Sequence, residues 1–167
     1  MDENLKEVVI PKEYAVFWMD GNGCWRNVHG KFRRKQIIDK FNNSIRRDES
    51  GYFVTQINGE RIEKVYFRCE ETAFFASDIH VGDHIDLVLN TGNVMRLDAA
   101  SLFIRNDSLY LNATGYGLIK FTERCLMKIF KMIEFSEGQY RLAIGGEQFP
   151  IPEMPLDDNG NQSSCQG

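Results

Sequence analysis

One pattern of residues occurs twice in this chain, and an internal repeat constrains a fold more than any local propensity does. Residues 20 to 63 run from an Asp-Gly turn through a Trp, a Gly and a basic helical stretch to a hairpin at Gly59-Glu60. The same order returns from about residue 106 to 151. Asn27-Val28-His29-Gly30 answers Asn112-Ala113-Thr114-Gly115, and the apolar helix positions Ile37, Ile38, Phe41 and Ile45 answer Cys125, Leu126, Ile129 and Ile133. Gly51 with Tyr52-Phe53-Val54 and Gly59-Glu60 answers Gly138, Tyr140 and Gly146-Glu147. The offset drifts in the loop before the helix, where insertions are tolerated. The repeat predicts an α+β fold of two β-hairpin/helix/β-hairpin halves packed together. The expected parts are an N-terminal repeat over 14–75, a C-terminal repeat over 76–151 and a disordered tail over 152–167, rich in Pro, Asp, Asn, Ser and Gly.

Along the chain, residues 1 to 13 read as a frayed lead-in. Ala15 to Met19 predicts the first strand. Asp20-Gly21-Asn22-Gly23 predicts a tight turn, because Asp-Gly and Asn-Gly accept positive φ. Arg33 to Arg47 reads as a helix, since Ile37, Ile38, Phe41 and Ile45 form one stripe at helical spacing. Tyr52 to Ile57, the Asn58-Gly59 turn and Glu60 to Arg68 predict a second hairpin. Phe74 to Ser77 continues the sheet, and His84 to Leu89 alternates polar and apolar, as a strand with one buried face does. Leu102 to Ile104 and Leu109 to Leu111 predict strands about an Asn106-Asp107 turn. A central helix is expected over about 118–135, apolar nearly all round and therefore buried on most sides. The last hairpin turns at Gly145-Gly146.

The chain has 167 residues, of which 43% are hydrophobic and 26% charged, with 12 Phe to supply a core. These values fit one globular domain or two small, interdependent halves. No apolar run has the length of a membrane span, and the stretch Met1 to Glu7 lacks a hydrophobic signal core. Cys24, Cys69, Cys125 and Cys165 are scattered without a C-x-x-C pair, so reduced thiols and a cytoplasmic location are expected. His80 and His84 lie about a turn that supplies no ready metal geometry, so no metal site is assigned. No Walker loop, G-x-S-x-G or metalloprotease motif is present.

Charge is the one functional signal in the composition. The net charge is −4, which argues against a general nucleic-acid binder. Yet residues 31 to 47 hold Lys31, Arg33, Arg34, Lys35, Lys40, Arg46 and Arg47 against Asp39 alone, a local balance of +6. Such asymmetry marks an anion site, a partner surface or a solvated helix face. Guanidinium forks suit phosphate or carboxylate, so Arg34, Arg46 and Arg47 are candidate ligand contacts. Arg46 and Arg47 also suit a helix C-terminus through its dipole, which leaves Arg34 the better candidate. Asp20 is placed to orient a ligand, although a turn-forming Asp needs none. Trp25 is able to stack on a base or ring or to serve the core. Arg124, set among apolar residues, calls for a partner such as Glu70, Glu71 or Glu147 if buried, or contacts the ligand.

Taken together, these residues resemble a bacterial family, domain of unknown function 1285 (DUF1285). The pattern is Asp20-Gly21, Trp25, Gly30, Arg34, the Ile37-Ile38 and Phe41 helix, Gly51-Tyr52, Val54-Thr55 and Glu70-Glu71-Thr72-Ala73-Phe74. It continues through Asn90-Thr91-Gly92, Leu109-Tyr110, Gly117-Leu118, Arg124, Gly146 and Phe149. The resemblance implies a duplicated α+β core whose second half is superficially like a pleckstrin-homology fold. It also implies a small-ligand pocket between the halves, nucleotide-like in its ligand, in signalling. Thr55 joins the candidate contacts through this pattern. The family tends to have Pro at the positions of Gln56 and Ala73, and Ser-Gly at Gly145-Gly146.

The sequence therefore points first to a non-enzymatic sensor or adaptor for a small anionic ligand, with Asp20, Trp25, Arg34, Arg46, Arg47, Thr55 and Arg124 as contacts. The second reading is a module that docks an acidic protein through the basic helix. An enzyme of unrecognised type is the third.

Overall fold

The computed structural model describes residues 5–154. They fall into two units, one ending at Ala73 and the other beginning at Phe74. Among the described residues the fold is α+β, mostly strands in four sheets with two α-helices. No helix among them is long and apolar enough to cross a membrane.

The first unit contains β1 (Lys6–Ile10), β2 (Phe17–Met19), β3 (Trp25–Asn27), β4 (Gly30–Lys31), α1 (Lys35–Ser44), β5 (Arg46–Asp48), β6 (Gly51–Asn58), β7 (Arg61–Tyr66) and β8 (Arg68–Cys69). One sheet runs β1-β7-β6-β5 and the other β4-β3-β2-β8. The lead-in expected to be frayed thus carries a strand, paired in parallel with β7 from Lys6↔Arg61 to Ile10↔Val65. Parallel pairing with a distant strand leaves no local signature, which is why sequence missed it. Residues 1–4 lie outside the described residues.

The turn between β2 and β3 is organised by Asp20. Its Oδ1 accepts from the backbone N–H groups of Asn22 (2.9 Å) and Cys24 (3.0 Å), and Gly23 supplies a φ of 78°. From β3, Trp25 enters an aromatic core with Phe17, Phe41 and Phe67, its ring centroid lying 4.8 to 5.7 Å from theirs. Phe41 comes from α1. This helix is shorter than expected. Ile45 leaves helical geometry at ψ 127°, and Arg46–Asp48 extends to pair with β6. The Asp48-Glu49-Ser50-Gly51 turn provides the register: Asp48 Oδ1 accepts from Ser50 N–H at 2.9 Å, and Gly51 takes a φ of 122°.

The second unit contains β9 (Phe74–Val81), β10 (Ile85–Leu89), β11 (Val94–Arg96), β12 (Leu102–Arg105), β13 (Ser108–Ala113), β14 (Gly117–Phe121), α2 (Glu123–Phe130), β15 (Ile133–Ser136), β16 (Gln139–Ile144) and β17 (Glu147–Ile151). Six strands form one sheet in the order β11-β10-β9-β14-β13-β12, and β15-β16-β17 form a meander. The β9–β14 pair is parallel and the other neighbours in the larger sheet are antiparallel. Alternation fills the core: Ile85, Leu87 and Leu89 are buried from β10, and Ile119 and Phe121 from β14.

The long central helix is corrected. The stretch expected as one helix over 118–135 is a strand, a short helix and another strand. Thr122 ends the strand and caps α2, its hydroxyl accepting from Cys125 N–H at 3.2 Å. Nor is α2 apolar all round in its packing. Cys125 and Ile129 are fully buried at i,i+4 spacing, whereas Met127 and Phe130 are 74% and 59% exposed. The expectation of a disordered tail from 152 is also corrected for its first residues. Pro152 and Met154 exchange backbone hydrogen bonds with Ile104 on the free edge of β12, at 2.8 Å each. The rest of that tail, 155–167, lies outside the described residues.

Candidate functional site

The candidate contacts read from sequence occupy distinct environments. Asp20 is buried, and beyond its turn hydrogen bonds its Oδ2 meets Arg26 Nε at 2.6 Å. Burial alone would push its carboxyl up. The Arg26 guanidinium and the Cys24 and Asn22 N–H groups outweigh burial and hold the carboxyl below the usual aspartate value. Trp25 is 1% exposed and donates from Nε1 to Asn42 Oδ1 at 2.8 Å. Both residues have full structural employment inside the first unit.

The arginines differ from one another. Arg46 donates from Nη1 to the carbonyls of Asn43 and Ile45, at 3.2 and 2.8 Å, and so caps the end of α1. Arg47 lies over the Tyr52 ring at 5.9 Å. Arg34 is the residue before α1. Its carbonyl accepts from Ile37 and Ile38, and its side chain is exposed with no ion pair among the described residues. Thr55 is exposed on β6 opposite Lys64. Arg124, in the second unit, is exposed on α2, so the buried-arginine argument for a carboxylate partner does not apply to it.

None of these seven residues lines the cleft that the second unit forms. That cleft has a volume of about 800 Å³. Ile104 to Leu109, from the β12–β13 hairpin, make one side. Leu126 and Phe130 of α2, Ile133 and Tyr140 of the meander, and Glu153 with Met154 complete it. The hairpin takes this shape because Asn106 and Asp107 accept left-handed backbone, with φ of 49° and 62°, in a two-residue turn. The turn fixes Arg105 opposite Ser108 and Phe103 opposite Tyr110. Phe130 and Met154 remain 59% and 45% exposed, so apolar surface is open to an occupant.

Arg105 is the unusual group here. Among the described residues, its Nε is a buried side-chain nitrogen without a hydrogen-bond partner. Its guanidinium carbon lies 5.3 Å from the Phe103 ring centroid and 5.5 Å from that of Tyr110. The two rings are themselves stacked, 5.4 Å apart at 14°. Stacking holds the guanidinium in place but supplies no acceptor. A buried Nε–H with no acceptor among the described residues is costly, and an anionic ligand would offset that cost. Asp107, Glu153, Ser108 and Tyr140 add acceptors and hydroxyls to the lining. The lining contains no His, Cys or Lys. Sequence reasoning passed over Arg105 because a lone Arg before a turn resembles a surface residue. The available signal was Phe103-x-Arg105 facing Tyr110 across a two-residue turn.

No protein-family model and no curated protein matches the sequence. The structure is similar to the crystal structure of a DUF1285 family protein from Silicibacter pomeroyi DSS-3, with a TM-score of 0.59 and 14% identity over 89% of this chain and 83% of that one. It is also similar to a DUF1285 family protein from Shewanella baltica OS155, with a TM-score of 0.51 and 16% identity over 75% of this chain and 97% of that one. The resemblance read from the motifs thus holds at the level of the fold: the chain is built like the DUF1285 proteins.

Proposed function

We propose that this chain is a non-enzymatic sensor or adaptor that binds a small anionic ligand, nucleotide-like in chemistry, in the cleft of its second unit. The observation that carries the reading is Arg105, whose stacked guanidinium has a buried Nε without a partner among the described residues, in the wall of a partly apolar cleft. The volume suits a ligand of nucleotide size. The anionic group meets Arg105, donor groups such as sugar hydroxyls meet Asp107 and Glu153, and a flat apolar part lies against Leu126 and Phe130. The order of three antiparallel strands, a helix and three antiparallel strands occurs in both units, which supports reading them as a duplicated element.

A thermal-shift panel of nucleoside phosphates, cyclic nucleotides and inorganic phosphate tests this, with Arg105→Gln alongside. A ligand at a hundred times its Kd stabilises the folded state by about 2.7 kcal/mol. A shift present in the wild type and lost in Arg105→Gln supports the proposal. Equal shifts in both proteins, or none across the panel, overturn it.

A further inference from the structure

We infer that the entrance of α1 is a docking surface for an acidic protein segment with an aliphatic anchor, made by Lys31, Arg33, Arg34, Ile37 and Lys40. The inference stands apart from the cleft, which shares none of these residues.

The argument begins with which charges are already answered. Of the basic residues between 31 and 47, Lys35 pairs with Asp39 at 2.6 Å. Arg46 caps the end of α1, and Arg47 rests on Tyr52. Asp48, which sits beside them, is taken by Lys64 at 2.8 Å and by the Tyr66 hydroxyl at 2.6 Å. Lys31, Arg33, Arg34 and Lys40 remain. All four are exposed, and none has an ion pair among the described residues.

Arg33 and Arg34 do nothing for the helix they adjoin. They precede the first turn of α1, which contains no acidic residue and has no side-chain cap. Cations at that end oppose the helix dipole. With Lys31 and Lys40 they fall within ten consecutive residues of a chain whose net charge is −4. A surface that concentrates unanswered positive charge, at a cost to its own helix, is complementary to an acidic partner.

Ile37 distinguishes the class of partner. It is 41% exposed and lies one turn from both Arg34 and Lys40, within reach of the same ligand. Phe32 and Phe41, the aromatics nearby, are partly buried and pack against each other, with centroids 5.6 Å apart and ring planes tilted by 44°. Single-stranded nucleic acid needs exposed rings on which to stack its bases, and this surface offers an aliphatic side chain instead. A peptide with carboxylates about a Leu matches it.

Fluorescence anisotropy tests the inference. The probes are a labelled synthetic peptide of Glu and Asp with one central Leu, the same peptide with Ser in place of Leu, and a labelled oligothymidylate. The wild type is expected to bind the Leu peptide and to lose affinity as salt rises. Arg34→Glu with Lys40→Glu is expected to weaken that peptide at least about tenfold. Ile37→Ser should weaken the Leu peptide and leave the Ser peptide unaffected. Circular dichroism and thermal melts confirm that the variants fold, as substitutions at exposed positions do. The inference is overturned if the Leu peptide does not bind, if the charge-reversed protein binds it equally, or if oligothymidylate binds more tightly. A signal that tracks self-association in light scattering overturns it as well.

Discussion

The indole Nε1 of Trp25 donates to Asn42 Oδ1 at 2.8 Å, and this contact fastens α1 to the sheet that carries Trp25. Helix α1 buries none of its residues completely, so its attachment rests on half-buried contacts such as Phe41 against Phe17 and Trp25 and on this hydrogen bond. Removing Asn42 leaves an indole N–H, on a residue 1% exposed, without its acceptor. Asn42→Ala should therefore cost about 1–3 kcal/mol of stability, read as a lower urea midpoint with an unchanged slope. A loss under about 0.3 kcal/mol would show that water replaces Asn42.

Asp20 makes stability depend on pH in a known direction. Its carboxyl is held below the usual aspartate value of 3.8 because Arg26 and two N–H groups outweigh burial. The folded protein thus holds that proton less tightly than the unfolded chain does. The contribution is present in full above the unfolded value and disappears as pH falls through the lower folded one. Denaturation curves of wild type and Asp20→Asn should differ near neutrality and converge in acid. A constant difference across that range would contradict the ion pair.

Arg105 should behave as a binding group held at a cost to the fold. Arg105→Met keeps length and apolar contact while removing the unpaired nitrogen. Such replacements of buried charge are neutral or stabilising, here by about 1 kcal/mol or less. The melting point of the free protein should hold or rise, while any ligand-induced shift disappears. A loss of about 2 kcal/mol or more would indicate that the guanidinium is already satisfied, since breaking a paired buried cation has that effect.

Arg34 gives the complementary case on the first unit. Ser at the residue before a helix caps an N–H that Arg cannot, and it removes a cation from the positive end of the dipole. Arg34→Ser should stabilise the protein by about 0.5–1 kcal/mol, measured by chemical denaturation. The same variant should bind the acidic Leu peptide less well than the wild type.

The hairpins were the most legible parts of this fold. Asn58-Gly59, Asn106-Asp107 and Gly145-Gly146 each need left-handed backbone, and Gly59, Asn106, Asp107, Gly145 and Gly146 have it. Helix boundaries were less legible. Between Leu118 and Phe135 no Pro or Gly interrupts the apolar run, so strand, helix and strand merged into one period. Thr122, three residues before Cys125, was the cap that separates them. Candidate contacts were read from charge and motif, which see neither burial nor competition for partners. Asp20 and Trp25 carry the right chemistry for a ligand, yet each already has a local partner in Arg26 and Asn42. The Arg105 nitrogen is notable for lacking a partner, a property that only the packed structure displays.

The parallel pairing of β9 with β14 sets the order in which the second unit is able to assemble. Phe74 pairs with Ile119, yet four antiparallel hairpins, β9–β10, β10–β11, β12–β13 and β13–β14, form from the chain that joins them. Local hairpins close in microseconds, while the pairing of distant strands waits on a large loop closure. During synthesis the central seam of the sheet has no partner until β14 has left the ribosome. Until then the edge of β9 at 74–76 lacks its neighbouring strand, and this is the interval in which the nascent chain is most exposed to aggregation.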